Sequence, residues 1–451
     1  MDAGAILTID LPGGSISAAV DGPLVRARGV PYASAARFMR PTKVTKWTGA
    51  LDCTQPATIC PQTRPGRLDF VTGEISNGRT LDENCLHLTI TAKRDIVASS
   101  KKYPVMVFLH GGAFVAGGSD LDCYAPLGLA ERDVVGVNIS HRLGIFGYMP
   151  IPGMADANLG LLDQIAALHW IQDNISFFGG DPNNVTVFGQ SAGGDSIYCL
   201  LVAEGTEGLF HRGILQSPPM GERAKDRTLV VQKLSELAKK RLEEDTRPRT
   251  ADEMLSLLVE LQIATQQIPG RPLAYFPLWG HFPLPKKEDA AQKISAVAKR
   301  IPIMIGYTAD EGSAFVRMNP TFQLYMKLPL IGTWINSLLS WHNKMSVFVW
   351  GSDRLHKDYI QAGGQSTLYK FNWKPTGSPL GSAHCIELAF ILGSWETWKD
   401  AAMLGGEASR QDVMTLGPAM QDLWVAFAQG KRFQKTTFAI GPNFRLDTIL
   451  A

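Results

Sequence analysis

The chain has 451 residues, of which 45% are hydrophobic and 19% are charged, so it is long enough to bury a large core and to form up to three domains. A formal net charge of +2 is close to balance, and no basic run interleaved with aromatic residues occurs. These features argue against a nucleic-acid partner.

The N-terminus carries an acidic residue, Asp2, followed by an apolar run that is too short for a secretory signal. The sequence therefore predicts a cytoplasmic protein, or a secreted one if this chain begins after a removed signal.

Residues 103–109 form an entirely apolar run, which is typical of a buried strand in a parallel sheet. This run delivers His110, Gly111, Gly112 and Ala113 at its carboxyl end, where doubly wound sheets place functional sites. A Gly-Gly pair alone is typical of a plain turn. After such a strand, and with a serine motif downstream, it predicts an oxyanion loop, whose backbone N–H groups can approach a developing negative charge.

Residues 178–193 indicate a loop, a short buried strand and a serine on a sharp turn into a helix over 192–203. The order Gly-Gln-Ser-Ala-Gly at 189–193 is that of a nucleophile elbow, with Ser191 as the nucleophile. We expect the two glycines to be there because strand and helix pass too close for a side chain. The motif alone is a weak signal, but a β-branched run directly before it is the required context.

The whole run from residue 158 to 193 resembles the serine signature of the type B carboxylesterase family, the cholinesterase-like branch of the α/β-hydrolases. Residues 28–38 and 83–90 resemble two further landmarks of that family. The resemblance implies one α/β-hydrolase domain over residues 1–451, an α/β fold with a central, mostly parallel sheet flanked by helices. Candidate cap segments lie at 222–280 and 316–365. Aligned with the family, the oxyanion donors are Gly112, Ala113 and Ala192, with Ala113 in place of a usual glycine.

A short apolar strand over 300–307 precedes Asp310 and Glu311. An adjacent acidic pair after a strand is also typical of a solvated turn or a helix N-cap. Because the family's acid lies in the same Asp-Glu-Gly-Ser run, the resemblance assigns Glu311 as the catalytic acid, with Asp310 as the alternative. His384 follows a strand over 367–373, in a stretch that resembles the family's histidine motif. The order Ser191, Glu311, His384 is the α/β-hydrolase order.

The family normally joins the two cysteines that correspond to Cys60 and Cys85, so the resemblance implies a disulfide here. A loop of that size contributes on the order of 3 kcal/mol. A reducing compartment would oppose the bridge, so the state of the pair in the cell stays open. The other cysteines are expected to be buried small hydrophobes: Cys53, Cys123, Cys199 and Cys385.

Fewer residues separate Glu311 from His384 than in large members of the family, so helices that wall the substrate gorge must be missing. The stretch between them contains the apolar run 328–341, with Trp334 and Trp341. We expect it to line a broad, shallow, apolar entrance suited to bulky esters or lactones, with a homodimer interface as the competing explanation. The run is shorter than a bilayer span, which predicts no transmembrane segment, although a patch resting on a membrane is compatible with it.

These features predict a serine hydrolase that cleaves carboxylic esters through an acyl-enzyme intermediate, with Ser191, Glu311 and His384 as a triad. No zinc-binding or phosphate-cradling motif occurs, so neither a metal nor a cofactor is expected. A biosynthetic acyltransferase, or an enzyme that forms or opens a lactone with the same triad, is the alternative, because the acceptor is chosen by the shape of the site. A non-catalytic adhesion or scaffold protein is less favoured, since such relatives lose the serine. An epoxide hydrolase would need an aspartate at the elbow.

Overall fold

The computed structural model describes residues 4–63, 69–245, 247–265, 268, 273–319, 322–324, 328, 332–433, 437–439 and 445–449, the last two ranges by their backbone alone.

A large twisted sheet forms the centre of the molecule. Its strands, together with the separate pair β4–β5, are β1 Ile6–Leu11, β2 Gly14–Asp21, β3 Leu24–Pro31, β4 Ala33–Ser34, β5 Thr42–Lys43, β6 Ala50–Cys53, β7 His87–Lys93, β8 Tyr103–Leu109, β9 Val135–Ile139, β10 Gly180–Gln190, β11 Arg212–Gln216, β12 Ile303–Thr308, β13 Ser366–Phe371, β14 Thr437–Ala439 and β15 Arg445–Ile449. The sheet order is β1-β2-β3-β7-β9-β8-β10-β11-β12-β13-β15-β14, with β6 beside β2. The strands from β9 to β13 in this order run parallel. The strands on either side of this block pair antiparallel with their neighbours, except that β6 pairs parallel with β2.

Helices cover both faces of this sheet. They are Asp69–Thr72, Arg94–Val97, Leu127–Ala130, Gly144–Gly147, Leu159–Asn174, Ala192–Val202, Met220–Ala224, Thr228–Glu243, Ala251–Thr265, Ala290–Ala298, Gly312–Met318, Gly332–Asn343, the π-helix Lys344–Val349, Trp350–Gln361, Leu388–Ile391, Trp395–Trp398 and Arg410–Ala428. Strand β8 shows how the two faces are filled: Val105 and Val107 belong to one apolar core, whereas Met106 and Phe108 belong to the other. Successive side chains of a strand point to opposite faces, so a fully apolar strand is a strand covered on both sides. The predicted α/β architecture is confirmed.

The parallel strands determine where the functional residues lie. Strand β8 ends at Leu109, β10 at Gln190, β12 at Thr308 and β13 at Phe371. Because parallel strands have their carboxyl ends at the same edge, the loops that follow them meet there. Those loops carry the serine, the acid and the histidine that the sequence predicts.

The predicted disulfide is absent from the structure, in which all six cysteines are buried free thiols. Cys60 and Cys85 lie side by side, and the backbone N–H of Leu143 is 3.3 Å from the sulfur of Cys60. The hydrogen bond with Cys60, and then burial, raise the pKa of the Cys85 thiol well above its ordinary value. Because only the thiolate is nucleophilic, the raised pKa disfavours attack by the Cys85 sulfur.

The two candidate cap segments stay predictions. In the first, helices Thr228–Glu243 and Ala251–Thr265 bury Leu234 and Leu258 against the rest of the molecule. In the second, helix Gly332–Asn343 packs on helix Gly312–Met318, and its two tryptophans are more than half exposed. None of the described helices is long and apolar enough to cross a membrane.

Candidate active site

The predicted nucleophile stands at the junction of β10 and helix Ala192–Val202. Ser191 has φ 57° and ψ −119°, a backbone conformation that few non-glycine residues adopt. Its N–H donates to the carbonyl of Gln216 on β11 at 2.8 Å, which ties the turn to the neighbouring strand. The glycines have the steric role that the sequence predicts. A Cβ on Gly189 would lie 2.7 Å from the carbonyl oxygen of Leu109, and one on Gly193 only 1.9 Å from that atom.

The loop after β8 lies directly beside this serine. A Cβ on Gly111 would be 3.2 Å from the Cβ of Ser191. The loop turns tightly, because the N–H groups of Val115 and Ala116 both donate to the carbonyl of Gly112, at 3.0 and 3.1 Å. Gly112 has φ 113° and Ala113 has φ 53°.

The predicted oxyanion donors are the backbone N–H groups of Gly112, Ala113 and Ala192. In the described part of the chain, the N–H groups of Gly112 and Ala113 donate to no protein acceptor. The N–H of Ala192 belongs to the first turn of its helix, where no intrahelical acceptor exists. The arrangement leaves backbone donors free at the edge where Ser191 stands, which suits the binding of an oxyanion.

One residue that sequence reasoning did not select, His110, supports this loop. Its Nδ1 lies 2.8 Å from the carbonyl oxygen of Gly111. The carbonyl of Gly111 and the N–H of Gly112 belong to the same peptide group and point in opposite directions. A hydrogen bond donated by Nδ1 of His110 to this carbonyl therefore fixes the direction of the Gly112 N–H. The ring is buried and stacks on that of His141, with centroids 4.6 Å apart. Burial lowers the pKa of His110 to about 4, so the imidazole is neutral near pH 7.

The structure separates the two adjacent acids that the sequence left as alternatives. Glu311 is completely buried, and its Oε2 is 2.5 Å from Nδ1 of His384. Its other oxygen, Oε1, accepts a bond from the N–H of Thr308 at 2.7 Å and one from the hydroxyl of Ser217. Asp310 instead accepts the N–H of Ser382 at 2.9 Å and pairs with Lys374 at 2.8 Å near the surface. Glu311 is therefore the acid that contacts the histidine.

His384 is buried between aromatic rings. The rings of Phe315 and Phe348 lie 5.1 and 4.8 Å from it, centroid to centroid. Its Nε2 lies 3.1 Å from the side-chain amide nitrogen of Gln190, the residue before the serine. With Nδ1–H donated to Glu311, Nε2 is the acceptor in this bond. No hydrogen bond between Ser191 and His384 is present among the described residues.

The electrostatics of His384 favour its protonated form. Burial lowers the pKa of the ring, but the neighbouring Cys385 and the Glu311 carboxylate outweigh that effect, so the pKa of His384 lies well above its ordinary 6.5. An imidazole whose cation is stabilised in this way is a stronger base toward a hydroxyl proton.

A second buried acid, Glu387, lies close to this pair and was also missed. Its Oε1 is 3.5 Å from the side-chain amide nitrogen of Gln216, whereas its Oε2 and the Oε1 of Gln216 have no described partner. Burial and then repulsion from Glu311 raise the pKa of Glu387 to about 7. The sequence did contain a signal for this residue, because Glu387 is the single charged residue in the apolar run from Cys385 to Leu392. Charged residues are seldom fully buried, so a charge in such a run indicates a special role.

Residues 13–329 match the Carboxylesterase family. The chain belongs to the carboxylesterase family. The similarity to individual relatives extends over nearly the whole chain. The chain is 32% identical over 94% of its length to "Probable N-octanoylanthranilate hydrolase AqdA2" of Rhodococcus erythropolis, 93% of which is covered. It is 30% identical over 92% of its length to "Para-nitrobenzyl esterase" of Bacillus subtilis (strain 168), 88% of which is covered.

The fold of this carboxylesterase is shared with solved structures. A thermophilic pNB esterase superposes with a TM-score of 0.76 at 24% identity, covering 98% of this chain and 97% of that one. The protein therefore has the α/β-hydrolase fold, and it is a carboxylic ester hydrolase.

Proposed function

We propose that this carboxylesterase hydrolyses esters in two steps through an acyl-enzyme on Ser191. In the first step, Nε2 of His384 takes the hydroxyl proton while Oγ attacks the ester carbonyl. The N–H groups of Gly112, Ala113 and Ala192 bind the resulting oxyanion. The protonated His384 then gives its proton to the leaving alcohol as the C–O bond breaks.

In the second step, water repeats this sequence on the acyl-enzyme. His384 takes a proton from water, the hydroxide adds to the acyl carbon, and Ser191 leaves with the proton returned by His384. Glu311 holds the imidazole by Nδ1 and stabilises its cation. The observation that carries the proposal is the 2.5 Å contact between Glu311 and His384, both fully buried, at the sheet edge where Ser191 stands.

The resting partner of His384 adds one requirement. Nε2 accepts from the amide of Gln190 at 3.1 Å, so the ring must exchange that amide for the serine hydroxyl before it can take the proton. Substrate that fills the space above Ser191 and excludes water strengthens the serine contact. Such tightening in the complex is common, because catalytic hydrogen bonds in free enzymes are often loose.

The test is substitution of the serine with a matched control on the same helix. Ser191→Ala should lower turnover of p-nitrophenyl butyrate on the order of a millionfold if the triad works as a unit. Ser196→Ala removes another buried hydroxyl of helix Ala192–Val202, one whose only described partner is Gln164 at 3.2 Å, and should keep the activity. If the Ser191 variant retained a tenth of the wild-type rate, the proposal would be wrong.

A second measurement, product analysis on a panel of substrates, identifies the substrate class and the acyl acceptor. A panel should contain p-nitrobenzyl and p-nitrophenyl esters, lactones and N-octanoylanthranilate, the last because one relative carries that name. Hydrolysis predicts free acid as the product even with added alcohols. Transfer of the acyl group to the alcohol in preference to water would instead identify an acyltransferase.

A further inference from the structure

Two buried histidines lie face to face beside the oxyanion loop. His110 and His141 are each 3% exposed, and their rings stack with centroids 4.6 Å apart and an angle of 17° between the ring planes. The sheet brings them together, because His110 follows β8, His141 comes shortly after β9, and Leu109 pairs with Ile139 where these two parallel strands end. The ring of His141 therefore covers one face of the ring of His110.

The edge of the His110 ring is confined as well. A Cβ on Gly117 would lie only 2.1 Å from Nδ1 of His110, so the backbone of Gly117 lies against this edge of the ring. The side chain of Gln62 fixes Gly117 from both sides. The N–H of Gly117 donates to the side-chain oxygen of Gln62 at 2.8 Å, and the carbonyl of Gly117 accepts the side-chain amide at 2.8 Å. The ring of His110 thus has one face on His141 and one edge on Gly117.

The surroundings of the two ring nitrogens determine which one carries the proton. A neutral imidazole has one N–H, and burial lowers the pKa of His110 to about 4. Nδ1 lies 2.8 Å from the carbonyl oxygen of Gly111, where two lone pairs would repel each other. Nε2 is buried and has no partner in the part of the chain that the structure describes, so no acceptor there draws the proton away. The proton therefore lies on Nδ1 and is donated to Gly111.

The segment that carries His141 supports the oxyanion loop at two points. Burial, and then repulsion from His110, lower the pKa of His141 well below its ordinary 6.5, so the stack joins two neutral rings near pH 7. Further along the segment, the N–H of Gly144 donates to the carbonyl of Phe114 at 2.7 Å. The first contact holds the start of the loop and the second holds its middle.

The stack has a consequence for one oxyanion donor. The carbonyl that His110 holds belongs to the same peptide group as the N–H of Gly112. That N–H donates to no protein acceptor among the described residues, so it is available to an oxyanion. Without the ring of His141 on its face, the ring of His110 could tilt and its bond to Gly111 would weaken. The peptide group would then be free to rotate, and the N–H of Gly112 would lose its fixed direction.

We propose that His141 is a positioning residue for ester hydrolysis: it supports the ring of His110, which in turn directs the N–H of Gly112 toward the oxyanion. The inference rests on the proposed acyl-enzyme mechanism and adds a residue outside the triad and the oxyanion donors. Negative charge develops on the carbonyl oxygen only as the transition state forms, so this support contributes to turnover and little to binding of the ester.

The experiment compares full-length variants on p-nitrophenyl butyrate. His141→Ala removes the support, and His110→Phe removes the donor but keeps a ring. Each should lower kcat about tenfold or more while KM changes less than about twofold. His141→Phe restores a flat ring and should recover most of the lost kcat. Thermal unfolding verifies that each variant is folded.

The matched control is His356→Ala. His356 is also buried, and its Nδ1 lies 2.9 Å from the hydroxyl of Ser366. Ser366 is the first residue of β13, at the edge of the sheet opposite the active site. This variant loses a buried histidine without disturbing the oxyanion loop, so it should keep the wild-type kcat.

A second measurement separates the direction of the donor from a general loss of structure. An alkyl trifluoromethyl ketone adds reversibly to the serine: Oγ of Ser191 bonds to the carbonyl carbon, the hydroxyl proton passes to His384, and the carbonyl oxygen becomes the oxyanion. Because this adduct resembles the tetrahedral intermediate, its Ki in His141→Ala should rise by about the factor by which kcat/KM falls.

Equal kcat and equal ketone affinity in His141→Ala and the wild type would overturn this inference alone. It would also be overturned by a His141→Phe variant as slow as His141→Ala, since a flat ring would then not be what His141 provides. A wild type that does not bind the ketone would contradict the acyl-enzyme mechanism, and the inference with it.

Discussion

Replacing Glu387 by glutamine should stabilise the protein at alkaline pH and leave its stability unchanged in acid. Glu387 is completely buried, and burial followed by repulsion from Glu311 raises its pKa from the usual 4.5 to about 7. Glutamine has nearly the same shape. It can keep the contact with the amide of Gln216 and can donate to the oxygen of Gln216 that has no described partner. The change therefore removes a titrating charge and little else.

The magnitude follows from the difference between the two pKa values. An acid whose pKa is raised in the folded protein binds its proton more tightly there than in the unfolded chain. Its contribution to stability is therefore fully present below about pH 4.5 and is lost as the pH rises through about 7. At 1.36 kcal/mol per pH unit, that interval corresponds to about 3 kcal/mol. The Glu387→Gln variant should gain this amount over the wild type above pH 7 and nothing below pH 4.5.

Urea unfolding followed by tryptophan fluorescence, at about pH 4.5 and about pH 8, measures both values. Glu131→Gln is the control, since this glutamate is exposed and its loss should change neither value appreciably. A gain of the same size at both pH values would mean that packing, not charge, explains the effect. Destabilisation at pH 8 would show that an ionised Glu387 is needed by the fold, and the reasoning would be refuted.

Further substitutions test the site. Glu311→Gln removes a charge that raises the pKa of His384, so the acid limb of the pH profile of kcat/KM should move to lower pH. The maximum of kcat/KM should fall about a thousandfold or more. An acid limb that stays at the same pH would contradict this prediction. Gln190→Glu puts a carboxylate where an amide nitrogen now lies 3.1 Å from Nε2 of His384, so the same limb should move to higher pH. Gly112→Ala places a Cβ 2.2 Å from a backbone oxygen of the loop, and turnover should fall about a hundredfold as the donors shift. Gly153→Ala, also at positive φ but with open space around it, should keep full turnover.

The sequence predicted the sheet and the positions of its functional loops because both depend on local patterns. Apolar runs such as residues 103–109 predicted the buried strands to within about two residues, as β8 Tyr103–Leu109 illustrates. The same strands lie parallel in the structure, so the loops that follow them converge without any further information. Ser191 was predicted from the nucleophile-elbow motif, whereas Glu311 and His384 were predicted from the resemblance to the carboxylesterase family.

The remaining features depend on distances that a linear pattern does not contain. Neighbouring acids after one strand look alike in sequence, and only the direction of the turn sends Glu311 inward and leaves Asp310 beside Lys374. Glu387 is recognisable as a functional neighbour only once its burial beside Glu311 is known. The predicted bridge between Cys60 and Cys85 was wrong for this structure, in which both cysteines are free thiols. A sequence pattern can indicate that two cysteines lie close together, but it does not determine their oxidation state.

The backbone around the active site has a consequence for how this enzyme can be made more heat-resistant. Several non-glycine residues there have positive φ: Ala113, Phe114, Ser191, Ser217 and Cys385. Each such conformation costs about 1 to 3 kcal/mol and persists only because the surrounding structure enforces it. Selection for thermal tolerance alone would therefore tend to relax these positions first, with loss of turnover. Stabilising substitutions are better sought in the hairpin of β1 and β2, at the far end of the sheet, where no part of the catalytic geometry depends on the strain.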